Sequence, residues 1–405
     1  MTPPRTATRI ANPTRAASHH VARFSLVIGG PLYDLYRRTR LLDPPIELVV
    51  RRSAAVVAIS WLPLLLLSAI SGKTTGATRV PFVFDLAAHV RFLLALPLMI
   101  AAEPIVHRSL RLVVRQFADR ELIAGADIER FERLVDETVR LRNSVVVEAT
   151  LLVLSTVAAY AFRRDHWSLR PGLWYLDLDA GGQPVLNVAG WWYTLVSLNV
   201  FRFVLLRWYY RLAIWYAFLW RTSRLSLHLN PLHPDRAGGL AFLGESLVAL
   251  APVFVAQTLA IAGAIGGRVL QDRTLAFPIE VLGFPVIFTV IAVVPLVFFS
   301  PRLIRAGFHG PLDYGRLSSR YVDGFRARWM RDDPDQNREL LGSADIQSLA
   351  DLMSSYDVAG GVRALPLELR PVLVFIAATA LPFLPLVLTV IPLTELLSRL
   401  AGVVL

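Results

Sequence analysis

Seven apolar runs constrain this chain more than any other feature. They lie near residues 53–72, 81–106, 144–162, 189–210, 241–265, 278–300 and 371–397. Each is close to or beyond the roughly 20 residues a helix needs to cross the hydrocarbon core of a bilayer. Leu, Val, Ala, Ile and Phe fall on every face of a helix drawn through them, which suits lipid better than a half-solvated surface. Composition agrees, with 55% of residues hydrophobic and 18% charged. Pro97, Pro252, Pro285, Pro295, Pro382, Pro385 and Pro392 fall within or near the ends of the runs. Lipid-buried helices tolerate such kinks when neighbours satisfy the freed carbonyls. The expected fold is all-α, a polytopic transmembrane helical bundle of about seven spans.

Arginine distribution gives the expected orientation. With the N-terminus cytoplasmic, 32 of the 42 Lys and Arg fall on the cytoplasmic side and eight on the other, leaving Arg91 and Arg202 inside spans. That asymmetry follows the positive-inside rule. The formal charge of +11 then implies loops facing anionic lipids at the cytoplasmic face of the bilayer. Nucleic acid is not expected as a partner, because no nucleic-acid-binding motif accompanies the charge. The chain has no cysteine, which excludes disulfides, thiolate metal sites and Cys nucleophiles.

Residues 1–52 read as a basic cytoplasmic tail and interfacial segment without a signal-peptide core. Residues 53–300 hold spans one to six, with a cytoplasmic helical insert at 107–143 where Ile128, Phe131, Leu134 and Val135 recur at helical spacing. Residues 301–370 form a second cytoplasmic insert, with a short helix capped at Ser343. Residues 371–405 hold the last span. The loop 163–190 alternates Trp174, Leu176 and Leu178 before a Gly-Gly turn, which predicts a hairpin on the outer membrane surface. The aromatic-rich stretch 189–228 reads as one span whose C-terminal half leaves the membrane, with Trp208, Tyr209, Tyr210, Trp215, Tyr216 and Trp220 as an interfacial belt. A bent pair of short helices is the alternative.

Ionisable and polar residues inside spans are costly, which makes them functional candidates. They are Asp85, His89, Arg91, Glu103, His107, Glu148, Asn199, Arg202 and Glu245. Asp85/His89 and Glu103/His107 are each four residues apart and share a helix face, so each pair could relay a proton, bind a cation or satisfy itself. Arg202, about eleven residues into its span, is expected to meet a carboxylate, with Asp85 and Glu148 nearest by depth.

One loop stands out, NPLHPDRAGGLAFLG at 230–244. Its prolines stiffen a turn, His233 and Asp235 can bond backbone groups, Arg236 can pair with Asp235, and Gly238 and Gly239 allow close backbone approach. A structural turn is the expected role, with a cytoplasmic functional site as the alternative. No metal-ligand spacing, nucleotide loop or nucleophile elbow is present, and no cofactor is expected. Gly263, Gly266, Gly267 and Gly283 could serve a homo-oligomer or packing within the chain.

The segments NPLHPDRAGGLAFLG, ADIQSLADL and LPFLPLVLTVIPLTELL together resemble a group of uncharacterised bacterial integral membrane proteins. The resemblance covers spans four to seven and implies a bacterial inner-membrane location. It supplies no activity, cofactor or catalytic residue. A channel or transporter for a small ion or solute is the leading expectation. The alternatives are a non-transporting scaffold or sensor that docks a cytoplasmic partner, and a membrane-embedded enzyme acting on lipid with His233 and Asp235 as acid and base.

Overall fold

A computed structural model describes residues 24–27, 45–123, 125–164, 172–272, 278–330 and 344–388. Among the described residues the fold is all-α apart from one small ribbon. We label its helices α1 (Val49–Ile70), α2 (Leu86–Asp119), α3 (Ile128–Arg142), α4 (Val145–Arg164), α5 (Val188–Thr222), α6 (Glu245–Asp272), α7 (Pro278–Val297), α8 (Ser300–Trp329), α9 (Ala344–Gly360) and α10 (Leu369–Leu388). Among the described residues, five helices are long and apolar enough to cross a membrane. The count rises to seven if the bent pairs around α3–α4 and α7–α8 each supply a span.

The bundle has two distinct ends. At one, Leu176–Leu178 (β1) and Pro184–Leu186 (β2) pair antiparallel, with Asp177 opposite Val185. Lys73 reaches this hairpin through the Leu176 carbonyl at 2.6 Å and the Asp177 carboxylate, while Val80 bridges Leu173. At the other end, His228 N–H donates to Leu122 O at 2.8 Å and Arg120 donates to Gly239 O at 3.0 Å. We call these the hairpin end and the loop end.

Helix α6 is the centre of packing, with Leu247, Val253, Phe254 and Ala256 fully buried. The Phe254 ring lies 5.3 Å from both Phe288 and Phe375, joining α6 to α7 and α10. Its glycines explain the close fit to α2. A Cβ on Gly263 would sit 2.7 Å from Val90 Cβ, and one on Gly266 would sit 2.9 Å from side-chain atoms of Leu86 and Leu386. These two glycines serve contacts within the chain. Gly283 has no such neighbour within 4 Å.

Helices α2 and α5 each contain a π-helical turn, Val90–Ala95 and Tyr193–Ser197. The first precedes Pro97, which has no N–H for the carbonyl four residues back and cannot continue a regular helix without local adjustment. The two wide turns meet, with the Phe92 and Tyr193 rings 6.0 Å apart. Helix α5 is continuous over 35 residues rather than a bent pair. Its aromatic residues also depart from the expected belt. Trp208 and Trp215 are only 1% and 0% exposed, and Trp208 donates to Met99 O at 3.1 Å. Tyr209 and Trp220, each 43% exposed, keep surface positions, and Tyr210 and Tyr216 are half-buried.

Helices α8 and α9 form an antiparallel pair at the loop end, and α8 turns 58° from α7. Trp329 donates to Asp345 at 2.9 Å and Tyr321 to the Asp345 carbonyl at 3.0 Å, fixing the pair. Ser343, the expected cap, lies outside the described residues, as do 389–397 of the last expected span. Four residues within the expected tail, Phe24–Val27, are buried. Phe24 packs 5.3 Å from the Phe218 ring.

Candidate functional site: a buried guanidinium and carboxylate cluster

Four helices meet around Glu103. Arg52 on α1 donates to Glu103 Oε2 at 2.6 Å, and Arg211 on α5 donates to Oε1 at 3.0 Å. Arg207, one turn before Arg211, lies 3.6 Å from Oε1 and also 3.3 Å from Glu148 Oε1 on α4. All five side chains are 4–12% exposed. Arg211 also lies over the Trp208 ring, 4.8 Å from its centroid. Ions so far from water are tolerated only when paired, so this network braces α1, α2, α4 and α5.

The charges do not balance among the described residues. Arg142, at the end of α3 and 9% exposed, donates to Ser25 O at 2.7 Å and to Asn143 Oδ1 at 2.9 Å. Both acceptors are neutral. The Arg211 Nη2 and His107 Nδ1 atoms are buried without a hydrogen-bond partner. Three guanidiniums, those of Arg52, Arg207 and Arg211, thus share two carboxylates among the described residues, and Arg142 lies nearby on neutral acceptors.

The other expected residues fall into separate groups. Asp85 caps the start of α2 through Ala88 N–H at 3.0 Å and accepts from Trp174 Nε1 at 2.9 Å. His89 Nδ1 accepts from Trp61 Nε1 at 3.0 Å, which leaves Nε2–H to donate to Phe82 O at 3.0 Å. Asp85 and His89 therefore do not form the expected pair, because aromatic donors from distant segments reach them first. Glu103 and His107 do not pair either, since the arginines take Glu103. Arg91 donates to Tyr193 OH at 2.9 Å. Arg202 lies beside Arg91 and Tyr193, while the acids expected for it serve Trp174 and Arg207. Asn199 donates to Thr156 at 3.1 Å, tying α5 to α4. Glu245 is exposed at the first turn of α6, where a carboxylate complements the helix dipole.

Arg202 and Arg211 are nine residues apart, about two and a half turns, and so lie on opposite faces of α5. The in-span charges therefore make up separate sites rather than one row. Arg52, Arg142, Arg207 and Arg211 had read as loop-side basic residues in the sequence. The usable signal was Arg207 and Arg211 at helical spacing in an aromatic-rich helix, level with Glu103.

The loop 230–244 is closed by its own residues. Asp235 Oδ1 accepts from Ala237 N–H at 2.8 Å and Gly239 N–H at 3.1 Å, and Oδ2 accepts from Ala241 N–H at 3.0 Å. His233 Nδ1 lies 2.9 Å from Oδ1. Burial opposes ionisation of Asp235, but these donors outweigh it and hold its carboxyl below the usual range. Arg236, Gly238 and Gly239 have φ of +49°, +62° and +96°, which suits glycine at the last two. Arg363 N–H donates to Arg236 O at 2.7 Å and its Nη2 to Asp235 O at 2.6 Å. Pro231 packs on Gly310 of α8, where a Cβ would approach to 2.8 Å. The loop thus fastens the α8–α9 pair to the bundle. Among the described residues, no three His, Asp or Glu gather as a metal site. Compared with protein families, curated proteins and solved structures, the chain matches none.

Proposed function

We propose that the protein is a membrane channel or transporter whose permeant species is a small anion. The observation that carries this reading is that, among the described residues, three buried guanidiniums gather on two carboxylates around Glu103 and Arg211 Nη2 is left without an acceptor. Fixed cationic groups attract anions and raise the barrier to cations. The acids, which alone argued for a cation, are already neutralised by arginine or spent on a helix cap. We read the location as a bacterial inner membrane with the N-terminus and the loop end cytoplasmic, which rests on the 32-to-eight distribution of Lys and Arg.

Flux through liposomes containing the purified chain tests the function. Chloride or nitrate should pass, potassium should not, and Arg211→Met should lower the anion rate at least tenfold. No anion flux across a range of pH and voltage would sink the reading, as would cation flux exceeding it.

A second reading, a scaffold that docks a cytoplasmic partner, is favoured by the exposed apolar residues of the α8–α9 pair. Phe308 and Met353 are 66% and 63% exposed. Crosslinking from these two positions in cells distinguishes it, since a scaffold captures one protein repeatedly and a channel does not. The enzyme reading gains nothing from His233 and Asp235, which are engaged in closing their own loop.

A further inference from the structure

Where α5 ends against the elbow between α7 and α8, the surface opens into a solvent-exposed groove of about 570 Å³. Trp220, Arg224, Val297, Phe298, Arg302 and Arg305 line it. Three guanidiniums converge there from the end of α5 and the start of α8, and among the described residues none of them makes an ion pair. Asp127 acts on Arg302 electrostatically, but its carboxylate is already held by Ser226 N–H at 2.8 Å and Arg130 at 2.9 Å. Arg224 lies over the Trp220 ring, 4.2 Å from its centroid. That stacking holds the guanidinium in place without consuming its donors.

Two further observations define what would fit. Val286, Val290, Val294 and Val297 recur along one side of α7 and are 41–57% exposed. They form an apolar stripe that ends at the groove. The start of α8 also lacks a side-chain cap, and Ser300 Oγ there is buried without a partner, so hydrogen-bonding capacity is left unused beside the arginines. An apolar track leading to a basic pocket at the end of a span matches a molecule with acyl chains and an anionic head.

We propose that this groove binds the phosphate of an anionic glycerophospholipid, with an acyl chain lying along the α7 stripe. Arg224, Arg302 and Arg305 bind the phosphate oxygens, and arginine's planar fork suits that contact. Trp220 forms the wall at headgroup level. The site is distinct from the Glu103 cluster, and lipid binding here does not depend on what the protein transports.

The test uses the full chain in an uncharged detergent, with thermal unfolding and native mass spectrometry as readouts. Three probes are added in turn: phosphatidylglycerol, phosphatidylcholine with the same chains, and inorganic phosphate. Phosphatidylglycerol should raise the melting temperature and stay bound, with the other two at least tenfold weaker. Arg224→Gln and Arg305→Gln, both exposed positions that leave the fold intact, should each weaken retention at least threefold. Arg302→Gln combined with both should weaken it at least tenfold, while Arg316→Gln on the 80% exposed outer part of α8 should change nothing. Equal binding of phosphatidylcholine would overturn the proposal, since acyl packing alone would then suffice. An equal shift from inorganic phosphate would overturn it in favour of a free-phosphate site. Unchanged retention in the single variants would overturn it outright.

Discussion

Arg211 Nη1 donates to Glu103 Oε1 at 3.0 Å across the bundle, while its Nη2 stays buried without an acceptor. The pair thus satisfies the acid and leaves part of the base unsatisfied. Removing the acid should be far more damaging than removing this arginine. Glu103→Gln takes the carboxylate from Arg52 and Arg211 in a place without water and leaves Arg207 only Glu148, and breaking a buried pair typically costs about 3–5 kcal/mol. Arg211→Met leaves Glu103 two other arginines and fills similar volume, so its cost should stay near 1–2 kcal/mol, by order of magnitude. Thermal unfolding in detergent gives both values. Equal destabilisation by the two changes would show that Glu103 is not the hub.

Asp235 should make the loop end sensitive to acid. Its carboxyl is held below the usual range by three backbone donors and His233. Its folded pKa therefore lies under the unfolded value of about 3.9. The stabilisation is complete above that value and drains away as pH falls through the lower, folded one. Asp235→Asn keeps Oδ1 for Ala237 and Gly239 but offers no second carboxylate oxygen to Ala241. It should destabilise by roughly 1 kcal/mol, and Asp235→Ala by roughly 2–3. Limited proteolysis at 230–240 measures the opening. If Asp235→Ala leaves both the cleavage rate and its pH dependence unchanged, the loop is held by Arg363 and Pro231 instead.

The helices were legible in the sequence because an apolar run of span length has few other uses. Their partners were not. Arg52 and Glu103 are 51 residues apart, and Arg211 lies a further 108 beyond Glu103, so no local pattern joins them. Glu103 stands out in the sequence, but its arginines read as loop residues, since the end of a span is defined only to within a turn or more and that margin decides whether a charge is buried. Spacing misled at Asp85 and His89. Four residues apart predicts a shared face but says nothing of Trp61 and Trp174, which bring donors from elsewhere. The aromatic run of α5 failed similarly, because Trp serves a membrane belt or a core equally well and only neighbouring helices decide.

The Asp85 cap gives a prediction at the hairpin end. Trp174 is fully buried, and its Nε1–H is the donor to Asp85 Oδ2 at 2.9 Å. Trp174→Phe retains most of the ring and removes that donor, leaving a buried carboxylate oxygen without its partner. A loss of about 1–3 kcal/mol is expected. Adding Asp85→Ser, which keeps an N-cap oxygen for Ala88, should recover part of it, because the second carboxylate oxygen is then gone. Additive losses in the double variant would show that the indole matters here through packing alone.

Gly263 and Gly283 offer a comparison in which the same substitution should act in opposite directions. Both lie within helices, where replacing glycine by alanine restricts the unfolded chain and stabilises by up to about 1 kcal/mol if space allows. At Gly283 nothing approaches the added Cβ within 4 Å, so Gly283→Ala should raise the melting temperature slightly. At Gly263 the added Cβ would fall 2.7 Å from Val90 Cβ, with two further Val90 carbons at 3.0 and 3.2 Å. A β-branched side chain held in a π-helical turn has little room to move, so α6 and α2 must separate, at about 1–3 kcal/mol. Val90→Ala in the same chain should relieve the clash and restore most of the stability, which ties the effect to this contact. A Gly263→Ala protein as stable as the parent would mean that α2 and α6 do not meet as closely as these distances require.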